Sequence, residues 1–204
     1  MAKNVTSEKI QLTNVRLSFP QLDRPRAFKE GQEPKFEASF LLDPSDKAHA
    51  AIIARIKSES ARVAKIQFDG QIPKSLEKCW GNGDDLDKVY DGYAGMFWIK
   101  VKSAARVPVV GRRKNADGKF PPLAPGDAEW PYAGCYVNAS VTVWAQNSHG
   151  RKAINGNLIA IQYVKEGEAF SGNKTAVPEE EFQALEDGGG EDPFNEKMDD
   201  DIPF

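Results

Sequence analysis

The chain has 204 residues, of which 40% are hydrophobic and 28% are charged, as expected of a globular domain large enough to bury a core. The formal net charge of −3 conceals an asymmetry. Residues 179–204 hold eleven acidic residues and one basic residue and carry −10, whereas residues 1–178 hold 19 acidic and 26 basic residues and carry +7. A basic body followed by an acidic tail is typical of proteins that bind polyanions.

Membrane, exported and disulfide-linked proteins are disfavoured by the sequence. The first residues contain no apolar segment of the kind found in signal peptides, and no apolar run approaches the ~20 residues of a membrane span. Cys79 and Cys135 lie far apart without a CxxC partner, so we expect free thiols in a reducing compartment. These features predict a cytoplasmic protein with no membrane partner.

The sequence also lacks the common enzyme motifs GxxxxGK[ST], GxSxG and HExxH. We interpret His49 and His149 as structural or solvated residues. The one acidic cluster of the body follows Gly81-Asn82-Gly83 and lacks the glycine and glutamate of a calcium loop, so we interpret it as a solvated turn. It consists of Asp84, Asp85, Asp87 and Asp91. We therefore expect no catalytic residue, no metal site and no cofactor.

Two strands are predicted near the start of the chain. Residues 9–20 alternate between apolar and polar with one slip at Thr13-Asn14, which indicates a bulged strand. Residues 21–34 are rich in proline, glycine and charge, and we interpret them as a loop. Lys35–Leu42 is apolar and aromatic enough to form the second strand.

The strongest helix signal follows the second strand. Asp43 is a suitable N-cap, Pro44 suits the first helical position, and Asp46 places an acid in the first turn. Apolar residues then recur at helical spacing, which predicts a helix from about Pro44 to Lys65. Glu179–Leu185 is a candidate for a short second helix.

The middle of the chain is less regular. Residues 66–95 show no clear period and contain turn signals. Met96–Val101 is predicted to form a strong strand, and Arg106–Val110 another. The loop between Gly111 and Pro131 is long, and loops of that length are usually functional or flexible.

A long β-hairpin is the clearest prediction. In residues 135–145 every second side chain is apolar and the others are polar or aromatic. Asn147-Ser148-His149-Gly150 supplies a turn, and a second strand runs from about Arg151 to Val164.

Together these elements predict a mainly β fold with one main helix, in which residues 1–178 form an OB-like antiparallel barrel. Gly188-Gly189-Gly190 and the surrounding acidic composition predict a flexible, disordered tail over residues 179–204.

The body carries the two kinds of side chain that hold single strands of nucleic acid, namely cations for phosphates and flat rings for unpaired bases. They occur on the polar faces of the predicted strands and in two basic loops. The candidate DNA-binding residues are Trp98, Lys100, Lys102, Arg112, Arg113, Lys114, Tyr136, Trp144, Arg151 and Lys152. The alternative is that the rings pack at the core or rim and the loop cations are merely solvated.

The sequence ends with Asp199-Asp200-Asp201-Ile202-Pro203-Phe204. Phe204 is suited to fill an apolar pocket of a partner, with its carboxylate paired to a basic residue and the aspartates attracted to a basic rim. Pro203 restricts the free peptide and lowers the entropic cost of binding. This segment is therefore predicted to be a partner-docking peptide.

Two resemblances support these predictions. The ending resembles the C-terminal tip of bacterial single-stranded DNA-binding proteins, where acids precede Ile-Pro-Phe and the tip recruits helicases, nucleases and recombination mediators. Residues 134–172 and the opening KIQLTNVRLSFPQL resemble instead a family of phage-encoded proteins. That family has an aromatic-valine-Asn strand, an Ala-Gln-Asn turn and a closing Gly-Glu-Ala-Phe, and the resemblance implies an OB-fold DNA-binding protein in a bacterial host's cytoplasm.

We therefore expect a sequence-independent single-stranded DNA-binding protein of phage replication or recombination, which recruits host or phage replication and repair proteins through residues 199–204. Three alternatives stay open: a strand-annealing or recombination mediator, an adaptor or decoy that binds host repair proteins without DNA, and a Mg²⁺-dependent nuclease using Asp84, Asp85 and Asp87. Binding of duplex DNA and formation of a homodimer also stay open.

Overall fold

The computed structural model describes residues 5–27, 30–148 and 150–170. His149, the candidate helix Glu179–Leu185, the predicted tail and the docking peptide Asp199–Phe204 lie outside the described residues.

The described chain forms one α-helix and eight strands. They are β1 (Ile10–Arg26), β2 (Lys35–Leu42), α1 (Lys47–Gln67), β3 (Glu77–Lys78), β4 (Trp80–Asn82), β5 (Phe97–Ser103), β6 (Val109–Val110), β7 (Tyr136–Ser148) and β8 (Arg151–Lys165). The predicted mainly β fold with one main helix is confirmed. No helix in this part of the chain is both long and apolar enough to cross a membrane.

The five longest strands close into a ring. β1 pairs antiparallel with β2 and β7, β2 with β5, and β7 with β8. β5 and β8 run parallel and meet where Lys102 pairs with Asn157. The resulting order β1-β2-β5-β8-β7, which returns to β1, is the Greek-key connectivity of an OB-like fold. The short strands extend the margins, with β4 on β5 and both β3 and β6 on β8.

Alternation along the strands directs one set of side chains into a common core. Val137, Val141 and Val143 of β7 are fully buried, as the hairpin pattern predicted. The helix α1 contributes Ile56 and Val63 to the same core. Burial of one strand face leaves the opposite, polar face available for a site.

The helix begins later than the sequence predicted, because Asp46 rather than Asp43 is its N-cap. Asp46 accepts hydrogen bonds from the backbone N–H groups of Ala48 and His49 at 2.8 and 2.9 Å. Asp43 instead accepts from the N–H and hydroxyl of Ser45, which closes an Asx turn before the helix.

The bulge predicted in the first strand is confirmed. β1 shifts register against β7 between Leu12 and Val15. Asn14 adopts a left-handed conformation with φ 52°, which asparagine tolerates well. Its N–H donates to Asn138 Oδ1 at 2.9 Å.

Two strand boundaries differ from the predictions. β1 continues to Arg26, which pairs with Lys35, through residues predicted to be loop. Beyond Leu22 this arm of the hairpin is exposed on both faces, so it carries no alternating pattern. The strand predicted over 106–110 is confined to Val109–Val110.

Candidate nucleic-acid interface

A groove of about 380 Å³ lies where β5 and β8 close the ring, lined by residues of β2, β3, β5, β7 and β8. Gly156 of β8 permits this closure. A Cβ at Gly156 would lie 2.6 Å from Val101 Cγ1 and 3.0 Å from the carbonyl oxygen of Lys100. The two backbones therefore approach as closely as they do because this position has no side chain.

Two tryptophans border the groove, and both are held in one orientation. Trp98 lies against Gly81 of β4, and its indole N–H donates to the carbonyl oxygen of Asn82 at 3.1 Å. The indole N–H of Trp144 donates to Asn157 Oδ1 at 3.1 Å. Both rings are half-buried. They are therefore fixed in place while remaining partly accessible from the groove.

The groove is electropositive. Its lining contains one acidic residue, Glu77, and five basic ones: Lys35, Lys78, Lys100, Lys102 and Arg151. An excess of cations in a concave surface attracts polyanions and focuses their field.

A buried carboxylate organises two of these cations. Glu37 of β2 is 3% exposed, and its Oε1 lies 2.6 Å from Lys100 Nζ. Its Oε2 lies 2.8 Å from Lys102 Nζ. This second contact is an ion pair without hydrogen-bond geometry, because Oε2 has no hydrogen-bond partner among the described residues. Both ammonium groups are thereby held side by side at the groove, on side chains that are 40% and 44% exposed.

Arg151 and Glu77 form a second ion pair at the groove. The Nη2 and Nε atoms of Arg151 lie 2.7 and 2.9 Å from Glu77 Oε2. Both side chains are more than half exposed, so solvent screens the pair and an incoming phosphate can compete for Arg151.

A family model described as Enterobacter phage Enc34, ssDNA-binding protein, matches residues 8–194. The chain belongs to this family. A protein named p50 from Acyrthosiphon pisum secondary endosymbiont phage 1 is 32% identical over 184 residues, which cover 84% of this chain and 91% of that protein.

Two solved structures of the phage Enc34 single-stranded DNA-binding protein are similar to this chain. The complex with single-stranded DNA is 27% identical with a TM-score of 0.66, covering 79% of this chain and 88% of that one. The C-terminal truncation is 26% identical with a TM-score of 0.63, and the match covers 82% of this chain and 98% of that one.

In this member of the Enc34 family, five of the ten candidate DNA-binding residues converge on the groove. They are Trp98, Lys100, Lys102, Trp144 and Arg151. Tyr136 lies at the opposite end of β7, where Lys165 Nζ is 4.6 Å from its ring centroid and the Arg16 guanidinium 5.7 Å.

The remaining candidates lie outside the groove lining. Arg112 forms an ion pair with Glu129 at 2.8 Å, and Lys114 Nζ lies 5.5 Å from the ring centroid of Phe120. Arg113 and Lys152 are exposed.

Sequence reasoning missed two groove residues, Lys35 and Lys78, and the buried carboxylate of Glu37 that pairs with the groove lysines. Lys35 and Glu37 lie in the segment KFEASFLL, whose alternation of polar and core positions would have placed both on the outer face with Lys102. Lys78 belongs to a two-residue strand inside a segment without any period, so no pattern indicated it.

Several of the residues considered for catalysis have structural contacts. Asp84 accepts a hydrogen bond from the N–H of Gly95, and Asp85 accepts one from Asn82 Nδ2. His49 Nδ1 accepts from the Asp43 N–H at 3.1 Å, and its Nε2 lies 3.2 Å from the Thr13 carbonyl. Across the described residues, no group of three or more His, Cys, Asp or Glu side chains is arranged to hold a metal ion.

Proposed function

We propose that this protein binds single-stranded DNA in the groove without sequence preference. The observation that carries the proposal is the convergence of Trp98, Trp144 and five cations on one concave surface. Cations neutralise phosphates, and indole rings stack on any base because every base has a π-face. Membership of the Enc34 family supports the same ligand.

The position of the groove in the fold also supports this ligand. OB folds bind oligonucleotides on the face of their second and third strands, between the loops that join strands one to two and four to five. In this chain the corresponding strands are β2 and β5, and the corresponding connections are β1–β2 and β7–β8. The groove is lined from β2, β5 and the adjoining ends of β7 and β8.

A fluorescence titration tests the proposal. Labelled single-stranded DNA and a duplex of the same sequence are titrated at several salt concentrations, with tryptophan emission recorded in parallel. We expect quenched emission and an affinity for the single strand that falls with salt, with a log–log slope of about −0.7 per phosphate contacted. Absence of binding at low salt would contradict the proposal.

We propose further that the protein serves phage replication or recombination and recruits partner proteins through residues 199–204. This proposal is supported by the sequence and by its resemblance to the bacterial tip. A labelled peptide of residues 196–204 is expected to bind a host helicase or nuclease that recognises the bacterial tip. The Phe204→Ala peptide should bind at least tenfold more weakly, since the ring is the proposed anchor.

Finally, we propose that the acidic tail competes with DNA for the basic body, since −10 on residues 179–204 opposes +7 on residues 1–178. Deletion of residues 186–204 should then tighten DNA binding at low salt, and the effect should shrink as salt rises. Equal affinities of the two chains would exclude this competition.

A further inference from the structure

An exposed cluster of aromatic rings lies on the outer face of β1. Phe19 is 49% exposed and Tyr90 38%. Their rings meet edge to face, with centroids 5.2 Å apart and an interplanar angle of 84°. The buried ring of Tyr93 lies against both, at 6.1 Å from Phe19 and 5.5 Å from Tyr90. These rings form a continuous apolar patch whose outer members face solvent.

The cluster is anchored from beneath. The hydroxyl of Tyr93 donates to Ser18 Oγ at 3.3 Å, and burial raises the pKa of Tyr93 above its ordinary value. Phe19 has a φ of 46° and lies where β1 shifts register against β2, between Ser18 and Gln21. A bulky residue in this left-handed conformation is a genuine outlier, and such outliers concentrate at functional sites.

The strand register places this cluster beside the cations of the groove. Ser18 of β1 is opposite Ser39 of β2, and Ser39 is opposite Lys100 of β5. Residues directly opposite each other share one face of a sheet. Ser18, which accepts the hydrogen bond from Tyr93, and Lys100 therefore lie on the same face, two strand spacings or about 10 Å apart.

We propose that Phe19 and Tyr90 form a second base-stacking site, which takes nucleobases of the same single strand after it leaves the groove past Lys100 and Lys102. This inference rests on the proposed function. Each nucleotide of a single strand carries one phosphate and one base. The surface offers a pair of ammonium groups for phosphates and, on the same sheet face, exposed rings for bases. The patch and the groove cations belong to the same face of the sheet, which favours a nucleic-acid strand over another protein as the occupant of the patch.

The test measures affinity against oligonucleotide length. Phe19→Leu and Tyr90→Leu remove a ring but keep an apolar side chain, whereas Phe19→Tyr and Tyr90→Phe keep the ring. The affinity of each full-length variant for oligothymidylates of increasing length is measured, and thermal unfolding checks the fold. We expect each leucine variant to bind long oligonucleotides ~5- to 150-fold more weakly than the wild type. Oligonucleotides that only fill the groove should bind equally, and ring-keeping variants should match the wild type at every length.

Three results would overturn the inference. If the leucine variants equal the ring-keeping variants at every length while Trp98→Ala weakens binding, the second site is wrong and the groove proposal stands. If the leucine variants lose the same affinity for short and for long oligonucleotides, the rings contribute to binding in the groove and do not form a separate site. If the wild type binds no single-stranded DNA at low salt, both proposals fail.

Discussion

Trp144 and Tyr136 lie on the same face of β7, eight residues apart, yet their surroundings differ. Trp144 borders the groove and is held at its edge by Asn157. The ring of Tyr136 lies against Lys165 and Arg16, and a Cβ on Gly167 would be 3.1 Å from it. The comparison shows that alternation identifies the outer face of a strand but does not show which neighbouring segment covers it.

The Tyr136 end of β7 holds the segment that follows β8. The Arg16 guanidinium lies 4.3 Å from the ring centroid of Phe170. It also donates hydrogen bonds to the carbonyl oxygens of Gly134 and Glu168. Tyr136 and Phe170 therefore enclose a cation that the chain itself supplies, whereas the groove gathers cations around two rings that border open space.

The largest predicted effect on DNA affinity distinguishes the Trp144 end of β7 from the Tyr136 end. Trp98→Ala and Trp144→Ala should each cost about 1–3 kcal/mol of binding to single-stranded DNA, or roughly 5- to 150-fold, because each removes a ring that is proposed to stack on a base. Tyr136→Ala is the matched control and should change the affinity less than twofold. The measurement is the salt-dependent titration described above. A loss for Tyr136→Ala as large as for Trp144→Ala would remove the distinction between the two ends.

The second prediction concerns stability. Arg16→Ala removes two hydrogen bonds from a charged group and its contacts with two rings, and should lower the free energy of unfolding by about 1–3 kcal/mol. Arg16→Lys keeps the charge but not the planar fork, so its loss should be intermediate. Chemical denaturation measures the effect, and faster hydrogen exchange at Phe170, whose N–H donates to the Ala133 carbonyl, would locate it. Unchanged stability with weakened DNA binding would assign Arg16 to the DNA site instead.

Local patterns predicted the elements better than their assembly. Alternation predicted the β7 hairpin, and a favourable cap sequence predicted α1, since both signals depend on a few neighbouring residues. The two aspartates that compete for the cap made the exact start ambiguous. The pairing of Lys102 with Asn157 closes the ring across 55 positions of sequence, and no short-range pattern contains it.

The same limit applies to the candidate site. Trp98, Lys100 and Trp144 could be predicted because each lies on the polar face of a strand with a clear period. Tyr136 has the same pattern, but its ring lies outside the groove, against Arg16 of β1 and Lys165 of β8. The Arg112–Lys114 loop looked equally basic, and the sequence did not show that Glu129 neutralises Arg112.

The third prediction tests how the groove's charge is set. Glu37→Gln removes a buried negative charge while keeping the side chain's shape, so Lys100 and Lys102 should attract phosphate more strongly. We expect binding of single-stranded DNA tighter by about 1 kcal/mol, roughly fivefold, at low salt. The gain should shrink as salt increases.

Glu77→Gln is the control for this prediction. Glu77 is 60% exposed and pairs with Arg151, so solvent already screens it and its gain should be smaller. Weaker binding by Glu37→Gln would show that the carboxylate acts chiefly by positioning the two lysines.

The last prediction concerns two cysteines, one at the groove and one beside Tyr136. Burial raises the pKa of Cys79, which lines the groove, to about 12, and that of Cys135, next to Tyr136, to about 11. An unfolded thiol releases its proton near pH ~8.5. The unfolded state therefore binds fewer protons than the folded state above that pH, and stability should fall as the pH rises from about 8.5 towards 11 or 12.

Cys79→Ala and Cys135→Ala should each reduce this loss of stability when chemical denaturation is repeated between pH 8 and 11. The comparison with the wild type cancels the titration of tyrosines and lysines.

Alkylation in the presence of single-stranded DNA distinguishes the two thiols. The DNA should slow alkylation of Cys79, which lines the proposed DNA groove, more than alkylation of the fully buried Cys135. Equal protection of both cysteines would mean that DNA stabilises the whole fold against opening, and the groove would lose this local evidence for its role.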